Sequence, residues 1–289
     1  MSFKILTDTC ANLPYEMVEK LDIDMCSLLF LSEGKTYYSY KEGENVDLKQ
    51  FYDMMRGKQV FTTSQINPGD FKDFFGKYLS KGEDVLYLGF SSGLSGMFQS
   101  ARIAKEELDE EYPDRKIIVV DTLCAALGQG VIVSYAAQMR DEGKSIDEIA
   151  QWVEDNKLRL NHWFTVDDLM FLKRGGRVSA TAAIAGTIIG VKPVMHMDND
   201  GKLAVVDKVR GRKQSVKRLV EEMEKNIENP DGQIVAISHG DCPEEAEYIK
   251  NAISEKFNFK EVIVNCLDPV IGSHAGPGTL ALFYLGDKR

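Results

Sequence analysis

Apolar runs broken by polar turns divide the first part of the chain into short strands and longer helices. Residues 3–7, 26–31, 84–90 and 116–121 read as strands. Helical spacing of apolar positions predicts helices over 14–20, 96–110, 125–142 and 145–160, with the stripe Met97, Ala101, Ala104, Leu108 marking one buried face. Another helix is expected around Phe71, Phe74 and Phe75, with Ser64 or Asn67 as its N-cap. Strands alternating with helices imply a largely parallel sheet with helices on its faces.

After about residue 160 the pattern changes. Strands are expected at 162–166, 191–197 and 202–210, the last two joined by the hairpin turn Asn199-Asp200-Gly201. Helices at 213–227 and 244–256 then alternate with strands at 233–238 and 261–265, and 279–285 supplies a last strand. The expected architecture is α/β with two domains. Residues 1–160 form an N-terminal domain with a mostly parallel sheet and flanking helices, and 161–289 a C-terminal α/β domain with a mixed or antiparallel sheet.

Charge and cysteine usage narrow the function classes. A formal charge of −10 argues against general nucleic-acid binding, which depends on Lys and Arg at phosphates. Eleven Lys/Arg against three Asp between residues 170 and 220 form a local exception. That stretch is either a cationic surface for a partner or a face whose acidic neighbours come from elsewhere in the sequence. Cys10, Cys26, Cys124, Cys242 and Cys266 are scattered without a C-x-x-C pair and read as reduced, mostly buried thiols. The opening Met-Ser-Phe-Lys-Ile-Leu runs into a strand without a secretory apolar stretch, and no run approaches the roughly 20 apolar residues of a membrane span. The expected location is the cytoplasm.

Candidate chemistry concentrates in polar turns. The run Ser91-Ser92-Gly93-Leu94-Ser95-Gly96 follows a strand and opens a helix, so hydroxyls and unpaired backbone N–H groups gather at a helix start suited to an anion. Gly89-Phe90-Ser91-Ser92-Gly93 also fits the G-x-S-x-G nucleophile elbow, which gives the alternative of a serine acyl hydrolase using Ser91 or Ser95. Against it, the helix starts late for an elbow, and Asp268 and His274 crowd into one Gly/Pro-rich segment. The strand endings Asp8-Thr9, Ser91-Ser92 and Asp121-Thr122 belong where open α/β sheets bind ligands. Thr62-Thr63-Ser64 offers three hydroxyls, either to a buried acceptor or to a helix cap. Lys173-Arg174-Gly175-Gly176-Arg177 is an anion nest, an exposed partner loop or a plain charged turn, and the small apolar residues of 180–191 pack against the core or a long apolar ligand. His274, in a glycine-dense turn over 270–279, is structural or faces a ligand. The histidines lack metal-site spacing, and neither a Walker A nor a Gly-x-Gly-x-x-Gly loop is present.

Taken in chain order, Ile5-Leu6-Thr7-Asp8-Thr9, Thr63-Ser64-Gln65, Ser91 to Gly96, Asp121-Thr122, Leu172 to Arg177, Lys192-Pro193 and Gly272 to Gly278 resemble the DegV family of bacterial fatty-acid-binding proteins over nearly the whole length. Ile66-Asn67-Pro68 and Met97-Phe98 depart from the family's usual Pro-Ser and Thr-Tyr, and Met97 is expected to alter the pocket near the carboxyl. The resemblance implies a lipid cleft between two domains, one bound long-chain fatty acid as ligand, no cofactor and no catalytic residue. It further implies a separate ATP-dependent fatty acid kinase as partner, which converts the presented carboxylate into an acyl phosphate for phospholipid synthesis. By the same resemblance Thr63, Ser64, Ser95, Gly96 and His274 hold the carboxylate, while Arg174 and Arg177 engage the kinase. Membrane contact would be transient, without a span. The physics agrees: about 14 buried methylenes at roughly 0.8 kcal/mol each give a gross driving force on the order of 11 kcal/mol, leaving a few polar donors to fix orientation.

Overall fold

The computed structural model describes residues 2–40, 46–179 and 190–289. The chain opens with β1 (Phe3–Asp8), a 3-10 turn (Thr9–Ala11), α1 (Tyr15–Lys20) and β2 (Asp24–Cys26). Next come β3 (Leu29–Ser32), β4 (Lys35–Tyr38), α2 (Leu48–Arg56) and β5 (Thr62–Ser64), followed by α3 (Pro68–Leu79), β6 (Asp84–Gly89), α4 (Met97–Glu111) and β7 (Ile117–Asp121). Helices α5 (Leu127–Asp141) and α6 (Ile146–Asn156) lead into β8 (Leu160–Thr165), α7 (Leu169–Arg174), β9 (Val191–Met197) and β10 (Leu203–Arg210). The remainder is α8 (Arg212–Asn226), β11 (Ile234–His239), α9 (Pro243–Ser254), β12 (Glu261–Cys266), α10 (Pro269–Ala275) and β13 (Leu280–Leu285).

Two main sheets result. The first, ordered β2-β1-β6-β7, is parallel throughout, as the alternating pattern predicts. The second, ordered β10-β9-β8-β13-β11-β12, is antiparallel except for the β11/β12 pair. A small antiparallel sheet, β4-β3-β5, stands beside them. Helices α3 and α4 cover one face of the parallel sheet, and α8 and α9 cover the outer face of the mixed sheet. Between the sheets lies α5, packed against β1 and β6 on one side and β8, β11 and β13 on the other. Its sequence explains the position: every residue from Leu127 to Ser134 is buried, the mark of a helix apolar all round. Gly128 allows the close approach, because a Cβ there would lie 2.3 Å from His162 Nε2. One hydrophobic core therefore runs from Ile5, Leu86 and Leu88 through Val131 and Ile132 to Phe164, Ala236 and Phe283.

Several expectations need correction. The apolar run 26–31 is two strands in different sheets, because the Leu28 N–H donates to Thr9 Oγ1 and the chain turns out of the parallel ladder there. The glycine-dense stretch at 270–279 is not simply a turn: Asp268 caps α10 by accepting from the Ile271 N–H, and Pro269 supplies its first residue. Ser64 lies in β5, leaving Asn67 as the cap of α3 through its bond from the Asp70 N–H. Within the small apolar segment, residues 180–189 lie outside the described residues. In the cationic stretch, Lys192 pairs with Asp167, Arg212 with Glu245, Lys217 with Glu221 and Arg218 with Glu222, so many of its charges meet acidic partners in space.

Candidate functional site

A cavity of about 370 Å³ lies beyond the carboxyl ends of the parallel strands and is closed by the mixed sheet. Both the volume and the position are those of small-molecule sites in α/β proteins. Its inner walls are apolar: Phe90 beyond β6, Phe164 of β8, Met197 ending β9, Leu203 opening β10, and Ala281 and Phe283 of β13. Its outer end is polar, formed by Thr63, Ser64, Gln65, Ser95, Arg177 and His274. These side chains are half-buried or exposed, whereas Phe164, Met197, Ala281 and Phe283 are buried. The cavity thus has a wet mouth and a dry interior.

Three elements assemble the mouth. Strand β5 presents Thr63, whose Oγ1 shares a 2.8 Å hydrogen bond with His274 Nε2, donor and acceptor being set by the imidazole tautomer. Helix α10 carries His274 in its last turn and is buttressed by α2 and the small sheet. The turn before α4 supplies Ser95, whose hydroxyl accepts from the Met97 N–H at 3.2 Å and lies 3.5 Å from Gln65 Oε1. Gly96 is the N-cap residue of that helix, and a Cβ on it would lie 3.1 Å from Gln65 Oε1. Burial, then the charge of Arg177, lowers the His274 pKa to about 4, so its imidazole is neutral at pH 7. Arg177 is half-buried at the mouth, where burial lowers its pKa, and donates to the Leu94 carbonyl at 3.1 Å and to the Gly175 carbonyl. Arg174 is exposed, with its guanidinium 4.8 Å from the centre of the Phe171 ring.

The inner wall is held by backbone strain and a neutral histidine. Ala126, which lines the cavity, has φ 51° and ψ −145°, a conformation costing about 1–3 kcal/mol in a residue other than glycine. Its neighbours hold it there: the Ala125 N–H donates to His162 Nε2 at 3.2 Å, and His162 Nδ1 donates to the Leu160 carbonyl at 3.2 Å. Burial first, and the nearby Arg289 second, push the His162 pKa well below its usual value, which keeps the Nε2 lone pair available.

Other expected site features turn out to be structural. Asp8 is buried and accepts from Tyr87 Oη, the Phe90 and Cys10 N–H groups and the Gln129 amide. Thr122 donates to the Gly89 carbonyl, and Asp121 accepts from the Ser92 and Leu123 N–H groups. The crevice rule holds for the cavity's position, but these strand-end polar groups stitch loops together instead of lining it. Met97 is buried in the core under α3 and α4 and does not line the cavity. Ser91, the candidate nucleophile, is buried with its hydroxyl donated to the Gly201 carbonyl at 2.8 Å, while Asp268 bonds Ser39 and caps α10. Among the described residues, no hydrogen bond joins Ser91 or Ser95 to a histidine, which weighs against the hydrolase alternative. Gln65, the last residue of the Thr63-Ser64-Gln65 run, is a further mouth residue that no local pattern marks, its Oε1 lying beside Ser95.

Fold and mouth together define a two-domain α/β protein with a cavity apolar inside and polar at its opening. The chain belongs to the DegV family, whose model, described as "Uncharacterised protein, DegV family", matches residues 2–287. It is 47% identical over 287 residues to a DegV domain-containing protein of Clostridium perfringens, covering 99% of this chain and 98% of that one. Among solved structures it resembles a DegV family protein from Thermus thermophilus described by its fatty acid binding, with 28% identity, a TM-score of 0.89 and coverage of 99% and 100%. DegV of Bacillus subtilis, described as a fatty acid binding protein, is 30% identical with a TM-score of 0.83, again over 99% and 100% of the two chains.

Proposed function

We propose that this protein binds one long-chain fatty acid in the cavity, with the acyl chain along the apolar walls and the carboxylate at Thr63, Ser64, Ser95, Gly96 and His274. The observation that carries this reading is the polarity of a single cavity, wet at its mouth and lined inside by Phe164, Met197, Ala281 and Phe283. A carboxylate buried without donors would cost several kcal/mol, and the hydroxyls of Thr63 and Ser95 with the neutral imidazole offset that cost. Because the polar end faces outward, the bound acid shows its carboxyl to a partner while its chain stays covered. That geometry suits a carrier for a separate ATP-dependent kinase forming an acyl phosphate for phospholipid synthesis in the cytoplasm, with Arg174 and Arg177 beside the presented group.

Native mass spectrometry of protein purified from a bacterial host should show a mass increment equal to one long-chain fatty acid. Delipidated protein should bind palmitate or oleate saturably, and with ATP and a cognate kinase the loaded form alone should yield acyl phosphate. Absence of both the increment and saturable binding would overturn the carrier reading; binding without turnover would overturn its kinase half.

A further inference from the structure

The hairpin joining β9 to β10 reaches over the cavity, with Met197 and Leu203 lining the interior on either side of its tip. The tip does not end in solvent. It docks on the turn that carries Ser95: Ser91 Oγ donates to the Gly201 carbonyl at 2.8 Å, linking residues 110 positions apart and bridging the two main sheets. The backbones nearly touch, since a Cβ on Gly93 would lie 2.5 Å from the Asp200 carbonyl oxygen and 2.6 Å from that of Gly201. Gly201 has φ +71°, and a Cβ on it would lie 2.2 Å from Ser91 Oγ. Asp198 secures the tip from within by accepting from the Asp200 and Lys202 N–H groups. The hydroxyl that resembles a hydrolase nucleophile is therefore committed to holding two walls of the cavity together.

We propose that Ser91 is a positioning residue that latches the β9–β10 hairpin onto the mouth turn, so that the wall bearing Met197 and Leu203 and the turn bearing Ser95 open only together and the bound chain leaves slowly. The proposal rests on the cavity being the fatty-acid site. Breaking the latch leaves a buried carbonyl without its donor and lowers the cost of lifting the hairpin. It leaves every proposed head-group contact in place, so release should speed up while entry through the same opening does not slow.

The test compares Ser91→Ala and Gly93→Ala with the parent and with Thr7→Val. Thr7 is a matched control because its buried hydroxyl donates to Leu88 at 2.8 Å within the parallel sheet and does not cross the cavity. Gly93→Ala wedges the tip away while keeping the Ser91 hydroxyl, so the result does not depend on one variant folding well. Hydrogen exchange in the ligand-free proteins and displacement of bound oleate by excess albumin are measured together. Both latch variants should show faster amide exchange confined to residues 197–203 and release oleate about tenfold faster, the factor for losing one such bond. Thr7→Val should change neither, apart from a general loss of stability. Unchanged exchange at 197–203 in both latch variants would overturn the latch, as would release no faster than in Thr7→Val. Failure of the parent to bind oleate would overturn the carrier reading instead, and the exchange measurement on ligand-free protein would still decide whether the latch exists.

Discussion

At the scale of single residues, the proposed head-group site offers neutral donors, with the Arg177 guanidinium lining the same mouth. In the proposed site the hydrogen-bonded Thr63–His274 pair, one of whose two protons lies between them, offers one donor to a carboxylate oxygen and the Ser95 hydroxyl offers another, so removing either leaves an oxygen short of a partner in a half-dry setting. Ser95→Ala or His274→Ala should therefore weaken fatty-acid binding by about 1–3 kcal/mol with the fold retained. Titration of delipidated variants checks this, and parental affinity in both would move the head group to another part of the cavity. The family resemblance marks Thr63, Ser95 and His274 as candidates and the structure brings them to one cavity mouth, whereas the residues alone leave Thr63 open to a helix cap and His274 to a structural role. Asp8, Thr9, Asp121 and Thr122 look similar in sequence, yet their oxygens serve nearby backbone groups and, for Asp8, the Tyr87 hydroxyl and Gln129 amide. Gln65 was not legible, since its amide meets Ser95 across a separation of 30 residues and nothing local marks it.

At the scale of elements, the strands and helices with strong periodicity match closely, including β9 over Val191–Met197 and the hairpin after it. The misses are α2, an amphipathic helix over Leu48–Arg56 for which no element is expected, and short elements whose identity depends on tertiary packing. Helix α10 read as a turn because its glycines look like breakers, whereas Gly272 is where the helix packs on α2: a Cβ there would lie 2.6 Å from Tyr52 Oη and 2.9 Å from Phe51. The end of α7 meets α10 in a similar way. A Cβ on Gly175 would lie 2.2 Å from His274 Nδ1, although the Gly175 backbone, at φ −71° and ψ −9°, is open to any residue. Gly175→Ala should thus leave the backbone of α7 intact and push the imidazole off Thr63. The expected outcome is weaker fatty-acid binding, comparable to His274→Ala, with little change in thermal stability. Calorimetric titration together with the His274 ring resonances checks it. Parental affinity with an unmoved ring would mean that α7 yields instead of the histidine.

At the scale of the whole molecule, two sheets share the α5 layer, so stability and the shape of the cavity are coupled through groups that span them. Arg289 is one such group. Its guanidinium donates to the carbonyls of Lys157 at 2.7 Å, Leu160 at 3.0 Å and Asp198 at 3.1 Å, and approaches Cys124 Sγ at 3.4 Å. These acceptors belong to the end of α6, the start of β8, the hairpin and the loop before α5, which no local sequence pattern relates. Removing the side chain should cost about 2 kcal/mol or more, because hydrogen bonds from a charged donor are each worth roughly 1.5–3 kcal/mol. The same charge acts on His196, whose pKa is lowered to about 4 by burial first and by Arg289 second. A histidine depressed from 6.5 to about 4 binds its proton more readily in the unfolded chain, so folding stability is full above pH 6.5 and falls as pH drops toward 4. The slope is limited to about 1.4 kcal/mol per pH unit for each such group. With Arg289→Ala the folded-state pKa of His196, and that of His162, should rise toward the ordinary value. The variant should be less stable than the parent at pH 7 but lose less on acidification from 6.5 to 4.5. Chemical denaturation across that range checks it, and parallel stability curves for variant and parent would show that the guanidinium braces the chain without setting the histidines' charge.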